Sequence, residues 1–184
     1  MVQPVHRKSY HTTNKIYFFT ATIHKWLPLL AQEDNQQLIV DYLKKLCNEG
    51  LLTVYGFVLM PNHIHIIWQQ NKLNGKETPQ GSFLKYTAHE FLKKLKTTGK
   101  SSLYEVNAAN KKHEIWQRDS LSIEIYSRTV AMQKLLYMHF NPVSGKWQLS
   151  KDDLSYYYSS ARFYETGVDD FGFLTNLYNV FEGD

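Results

Sequence analysis

The sequence predicts an α+β fold with a ferredoxin-like βαββαβ core: an antiparallel sheet with helices packed on one face, a further helix, and a C-terminal extension. Three observations point there. Runs rich in aromatic and β-branched residues alternate with segments of helical spacing. Two strand-like runs in the middle, LLTVYGFVLM and PNHIHIIWQQ, follow one another across a short Met-Pro-Asn connection. The apolar stripes of two intervening segments are one-sided, as expected of helices lying on a sheet.

The elements follow in order. Lys15 to His24 (KIYFFTATIH) reads as a strand. In the next segment Leu38, Tyr42, Leu43 and Leu46 recur at helical spacing; Asp34 or Asn35 can cap it and Gly50 stops it. LLTVYGFVLM and PNHIHIIWQQ are the second and third strands, and NKLNGKETPQGS is a polar loop. A second helix, SFLKYTAHEFLKKLKTTGK, carries a stripe of Phe83, Leu84, Ala88, Phe91, Leu92 and Leu95, with Lys93, Lys94 and Lys96 towards its C-terminal end. SSLYEVNAANKKHE is expected to be a flexible connection, and a fourth strand is expected around Ser122 to Tyr126. RTVAMQKLLYMHFN is a third helix, and Pro142 disfavours helical geometry at Asn141.

Composition narrows the function classes. A chain of 184 residues suits one domain, and its net charge of +4 mildly favours an anionic partner. One cysteine, Cys47, excludes an intrachain disulfide, fits a reducing cytosol, and reads as a small apolar residue of a helix. The N-terminal MVQPVHRKSYHTTNK has no apolar centre, so no secretory signal is expected there. No apolar run approaches the ~20 residues needed to cross a bilayer.

Within the third strand, VLMPNHIHIIW places His63 and His65 among otherwise apolar residues. Alternation points them to one face and sends Ile64, Ile66 and Trp68 to the other. Their Cα atoms lie about 6.6 Å apart on that face, close enough for two imidazoles to share one metal ion if a third group joins them. On the third helix Lys134, Tyr137 and Asn141 fall on one stripe, while Leu136, Phe140 and Val143 form an apolar stripe able to pack on the sheet.

MPNHIH followed by YMHFNP about seventy residues on, in this order of elements, resembles the single-tyrosine HUH transposases, and within them the REP-associated tyrosine transposases. IWQRD and YYYSSARFYETG look like further landmarks of that family, and the resemblance spans roughly Lys15 to Gly167. It implies a catalytic domain over residues 1–147 and an extension, 148–184, packed on it. It implies Tyr137 as a nucleophile, with His63, His65 and Asn141 as ligands of a divalent ion, Mg²⁺ or Mn²⁺. The expected activity is nicking of single-stranded DNA beside a hairpin, leaving a 5′-phosphotyrosine link and a free 3′-hydroxyl, followed by rejoining; the expected state is a monomer or homodimer in the cytoplasm. A phenol with a pKa of about 10 needs a cation nearby to attack at neutral pH, and Lys134 or the metal can supply it. Lys93, Lys94, Lys96, Lys111, Lys112 and Arg118 are candidates for holding DNA, and Tyr156, Tyr157, Tyr158 and Tyr164 for stacking on bases. The chain departs from the family at Ser122 and Ile123, where relatives carry an acidic residue and a histidine. Two other readings stay open: a hairpin-binding protein of the same fold without turnover, and a metal-dependent hydrolase of free nucleotides.

Overall fold

The structure, a computed structural model, describes residues 12–181. The N-terminal stretch up to residue 11 and the last three residues of the expected extension lie outside the described residues. Strand β1 (Ile16–Thr22) leads into α1 (Glu33–Asn48), β2 (Leu52–Met60), β3 (His63–Gln70) and α2 (Pro79–Thr97). A short hairpin of β4 (Glu105–Ala108) and β5 (Lys111–His113) precedes β6 (Leu121–Glu124), α3 (Arg128–Phe140) and α4 (Ala161–Thr166). The main sheet has the order β2-β3-β1-β6 with every neighbour antiparallel. With β6 as the fourth strand of the core, this is the ferredoxin-like order the sequence predicts.

Alternation divides the sheet between two apolar clusters. Phe19, Ile64, Ile66 and Trp68 meet α1 and α2 on one face, through Ile39, Leu43 and Leu46 and through Phe83, Phe91 and Leu95. Phe18, Ile67, Val58 and Met60 meet α3 on the other, through Ala131, Leu135 and Met138. The expected apolar stripe of α3 is therefore corrected: Leu136 and Phe140 are about half exposed, and the helix packs through the neighbouring stripe.

Gly56 explains how close α3 can come. It sits at a bulge of β2, where the register shifts between Val54 and Gly56. A Cβ there would clash with Met138 Cε and lie 3.0 Å from Leu135 Cδ2 and 3.1 Å from Ser160 Oγ. Gly56→Ala should thus cost about 1–3 kcal/mol by overpacking, read as a lower Tm. Combined with Met138→Ala, the loss should be smaller than the sum of the two single losses; strictly additive losses would show that the contact is not the cause.

Several local expectations change. α1 has no side-chain cap; Asn35 instead donates through Nδ2 to the Leu29 carbonyl at 2.8 Å. Gly50, at φ 66°, ends that helix as expected. α2 starts earlier than Ser82, because the Thr78 hydroxyl accepts from Gly81 N–H at 3.1 Å and Pro79 takes the first turn, where its missing N–H is harmless. The stretch expected to be a flexible connection is ordered: Tyr104 is buried, β4 pairs with β5, and Glu114 bonds both His24 and Lys111. Asn141 is helical (φ −55°, ψ −44°), and Pro142 falls inside a 3-10 turn, Asn141–Val143, that prolongs α3. The mild bias of a pre-proline residue yields to helix continuation.

The chain beyond α3 covers the free edge of β2. Leu59 N–H donates to the Tyr158 carbonyl, Ser160 N–H to Phe57 and Thr175 N–H to Val54, each at 2.9 Å. The Tyr156 and Tyr164 hydroxyls donate to the Leu59 and Tyr55 carbonyls, both at 2.6 Å. These tyrosines, with buried Tyr158, satisfy and hide a strand edge that could otherwise pair with another chain; they are not placed to stack on bases. Tyr157 remains exposed. Among the described residues no helix is long and apolar enough to cross a membrane.

Candidate active site

The face that α3 covers is apolar at one end and polar at the other. On β1, Phe18, Thr20 and Thr22 share this face; on β3, His63, His65 and Ile67 do. Register sets Thr20 opposite His65 and Thr22 opposite His63. Leu121 and Ile123 of β6 extend the floor, and Lys134, Tyr137 and Asn141 of α3 overhang it. Trp26, Lys146 and Trp147 complete the rim. The two motifs that lie far apart in sequence thus line one pocket.

The imidazoles are held on their inner nitrogens. His63 Nδ1 lies 2.7 Å from Asn62 Oδ1, and Asn62 Nδ2 donates to the Trp26 carbonyl at 3.1 Å. The second bond orients the amide, so its oxygen faces His63 and can only accept; His63 therefore carries its proton on Nδ1 and has a lone pair on Nε2. His65 Nδ1 lies 2.7 Å from Thr20 Oγ1, while its Nε2 is buried without a partner. A buried ring nitrogen without a hydrogen-bond partner is uncommon in a folded protein, though His24 Nε2 and His113 Nε2 share this state outside the pocket. The two rings are 4.9 Å apart at nearly right angles.

Tyr137 stands beside this pair. Its ring centre is 5.4 Å from that of His65 and 6.1 Å from that of Phe18, both edge-on, and Phe18 stacks on His65 at 5.2 Å. The tyrosine is 56% exposed, so its hydroxyl is accessible although its ring is braced. Lys134 Nζ lies 5.1 Å from the Phe18 ring centre. Lys146 Nζ lies 5.2 Å from that of Trp147, which in turn meets His63.

Other sequence candidates lie elsewhere. Lys93, Lys94 and Lys96 belong to α2, across the sheet from the pocket, and Lys94 Nζ bridges to the start of α1 through the Asp34 carbonyl and Asn35 Oδ1. Arg118 and Lys111 pair with Glu114, and Lys112 with Glu105. Sequence reasoning missed Thr20, Asn62, Trp26, Lys146 and Trp147. Asn62 adjoins the histidine motif and could have been suspected; Thr20 could not, because it is cross-strand register that places it.

Burial dominates the charge state of the histidines. It lowers His63 to about 4, with help from the Lys146 charge, and His65 to about 3, with help from His63 and Lys134. His139, buried on α3 against the Ser160 hydroxyl at 2.9 Å, is also lowered to about 4. All three are neutral at neutral pH, as a metal ligand must be. In the unfolded chain they titrate near 6.5, so unfolding takes up protons below that pH. Their stabilising contribution is complete above about pH 6.5 and is lost as pH falls towards 4 and then 3. The Tm of the chelator-treated protein should therefore drop steadily between pH 6.5 and 4.5; a flat profile would contradict these buried neutral rings.

Comparison with solved structures adds one finding. A REP-associated tyrosine transposase, solved with a REP hairpin bound, superposes over 96% of this chain and 93% of its own with a TM-score of 0.61 and 18% sequence identity. The chain has the transposase fold. No family model and no curated protein matches the sequence. The transposase fold thus embraces the sheet, α3 and the segment that covers β2, and the pocket described above is built on that frame.

Proposed function

We propose that the protein is a REP-associated tyrosine transposase that nicks single-stranded DNA beside a hairpin and rejoins the ends. The observation that carries this reading is the convergence of Tyr137, Lys134 and Asn141 from α3 with His63 and His65 from β3 in one pocket. The hairpin bound to the structural neighbour supports the substrate class.

In this reading the Tyr137 oxygen attacks a backbone phosphorus, the bond to the 3′-oxygen breaks, and a 5′-phosphotyrosine forms with a free 3′-hydroxyl. The phosphoester energy stays in the link, so a 3′-hydroxyl can later reverse the step without a nucleotide cofactor. The ring packing of Tyr137 against Phe18 and His65 limits the directions from which its oxygen can approach. Lys134 and Lys146 bring positive charge to the two sides of the pocket and draw the phosphate in. Leu121 and Ile123 give the floor an apolar border.

Two neutral imidazoles and an amide make a modest site for a divalent ion; Mg²⁺ or Mn²⁺ would need water or phosphate oxygens as its remaining ligands. His65 Nε2 is unpartnered and His63 Nε2 is a lone pair, and the Asn141 amide lines the same pocket. Among the described residues no cluster of three His, Cys, Asp or Glu side chains exists, so the amide or substrate oxygens would complete the shell. When bound, the ion would polarise the phosphate and stabilise the leaving oxygen.

The test is incubation of the purified protein with end-labelled single strands bearing a hairpin, with Mn²⁺ and with a chelator. A covalent protein–DNA adduct that the chelator abolishes supports the reading. Tight hairpin binding without an adduct would instead identify a binding protein of the same fold, which the loss of the acidic–histidine pair at Ser122 and Ile123 would explain. DNA as the substrate would place the protein in the cytoplasm.

A further inference from the structure

The rim of the pocket holds a residue that neither the fold nor the chemistry above requires. Trp26 is 57% exposed, an unusual setting for the largest apolar side chain. Its backbone is left-handed (φ 57°), as is that of Lys25 (φ 52°). Two successive non-glycine residues in this region cost on the order of 1–2 kcal/mol each, and such strain persists only where surrounding bonds impose it. Those bonds are present: Trp26 N–H donates to the Ile23 carbonyl at 2.9 Å, its own carbonyl accepts from Asn62, and Ile23 N–H donates to the Asn62 carbonyl at 2.8 Å. The indole is thereby set against His63, ring centres 6.0 Å apart and nearly perpendicular. Core packing would not produce this, since the ring leaves most of its surface in water.

We propose that Trp26 is a stacking platform for the unpaired nucleobase next to the phosphate that enters the His63–Tyr137 pocket. The proposal rests on the DNA-cleaving reading and adds a substrate contact to it. The occupant follows from what adjoins the indole. Lys134 and Lys146 make the pocket attractive to a phosphate, and a strand held there must send its neighbouring base over the rim, where an exposed aromatic face lies. Stacking of this kind accepts any base and excludes paired ones, matching an enzyme that needs a single strand at the cut. Asn62 then joins two tasks: one amide fixes both the platform backbone and the proton position on His63.

Base–aromatic stacking is worth about 1–3 kcal/mol per base, or roughly five- to 150-fold in affinity. Binding is measured in a Tyr137→Phe background, so that no chemistry is needed, using hairpin oligonucleotides whose flanking single strand carries one abasic site moved stepwise along it. With Trp26 intact, one position should show a penalty of that size. In Trp26→Ala the penalty at that position should vanish, and Trp26→Phe should restore most of it; a merely structural role would not depend on the abasic position. Tm of the variants should stay near wild type, because the side chain is exposed. If wild type forms the adduct yet the abasic penalties are the same in Trp26→Ala, the platform is overturned and the nuclease reading stands. If wild type forms no adduct but the Trp26-dependent penalty is present, the platform stands and turnover does not; if both are missing, both fall.

Discussion

Tyr137→Phe is expected to abolish the covalent adduct and lower strand cleavage by at least about a thousandfold, with hairpin affinity retained. The argument is local. The substitution keeps the ring that meets His65 and Phe18 and removes only the oxygen. The residue is more than half exposed, so the change in stability should stay within about 0.5 kcal/mol. A loss of cleavage therefore cannot be attributed to misfolding, and Tm alongside adduct yield checks this directly. The histidines offer no substitute nucleophile that would leave the same product: cleavage at the wild-type rate with no protein-linked DNA would point to activated water and to a hydrolase. Among the described residues no cluster of three His, Cys, Asp or Glu side chains forms a metal site, so that hydrolase would have to recruit its water-activating carboxylate from outside such a cluster.

Much of this site was legible in the sequence because both motifs obey a simple period. Residues two apart on a strand share a face, which joined His63 to His65; residues three and four apart on a helix share a stripe, which joined Lys134, Tyr137 and Asn141. What was not legible is which side of α3 faces the sheet. The helix has apolar residues on both flanks, Leu135 and Met138 on one, Leu136 and Phe140 on the other. The deciding feature is Gly56, more than seventy residues before α3 in an unrelated segment, whose missing Cβ admits Leu135 and Met138. Thr20 and Asn62 escaped for a similar reason: their roles come from cross-strand register and a turn, not from periodicity. The roles of Tyr156 and Tyr164 were not legible because an aromatic cluster looks alike in sequence whether its hydroxyls meet bases or backbone carbonyls.

The arrangement also shows why one face of a small sheet can serve both stability and chemistry. Towards Ile16, Ile67 and Ile125 the face is apolar and anchors α3 through Ala131 and Leu135. Towards Thr22 and His63 it is polar, and there the helix overhangs without filling the space. The 3-10 turn at Asn141 prolongs α3 beyond its packed portion, so the amide reaches the pocket without disturbing the anchor. His139, bonded to Ser160, ties the same end of α3 to the segment that covers β2. Two neighbouring stripes of one helix thus divide the tasks: Ala131, Leu135 and Met138 pack on the sheet, and Lys134 and Tyr137, with Asn141 just beyond, line the pocket.

His65→Ala should lower affinity for Mn²⁺ by about a hundredfold or more, and cleavage with it, while hairpin binding stays nearly unchanged. The side chain is 4% exposed, and removing it forfeits the Thr20 hydrogen bond and the Phe18 stack, so some stability is lost as a cavity forms. Part of that loss is offset, because the buried Nε2 without a partner disappears too. The sign on the metal is not balanced in this way. His63 and Asn141 alone would leave one imidazole and one amide, both neutral and both weak towards a hard ion. Titration calorimetry with Mn²⁺ reads the affinity, and the adduct assay over a range of Mn²⁺ concentrations reads the consequence. If the ion acts through His65, excess Mn²⁺ should restore part of the cleavage in the variant. A variant that cleaves like wild type at low Mn²⁺ would mean that the two imidazoles orient Tyr137 and the phosphate by packing alone, and that the ion contributes nothing to the reaction.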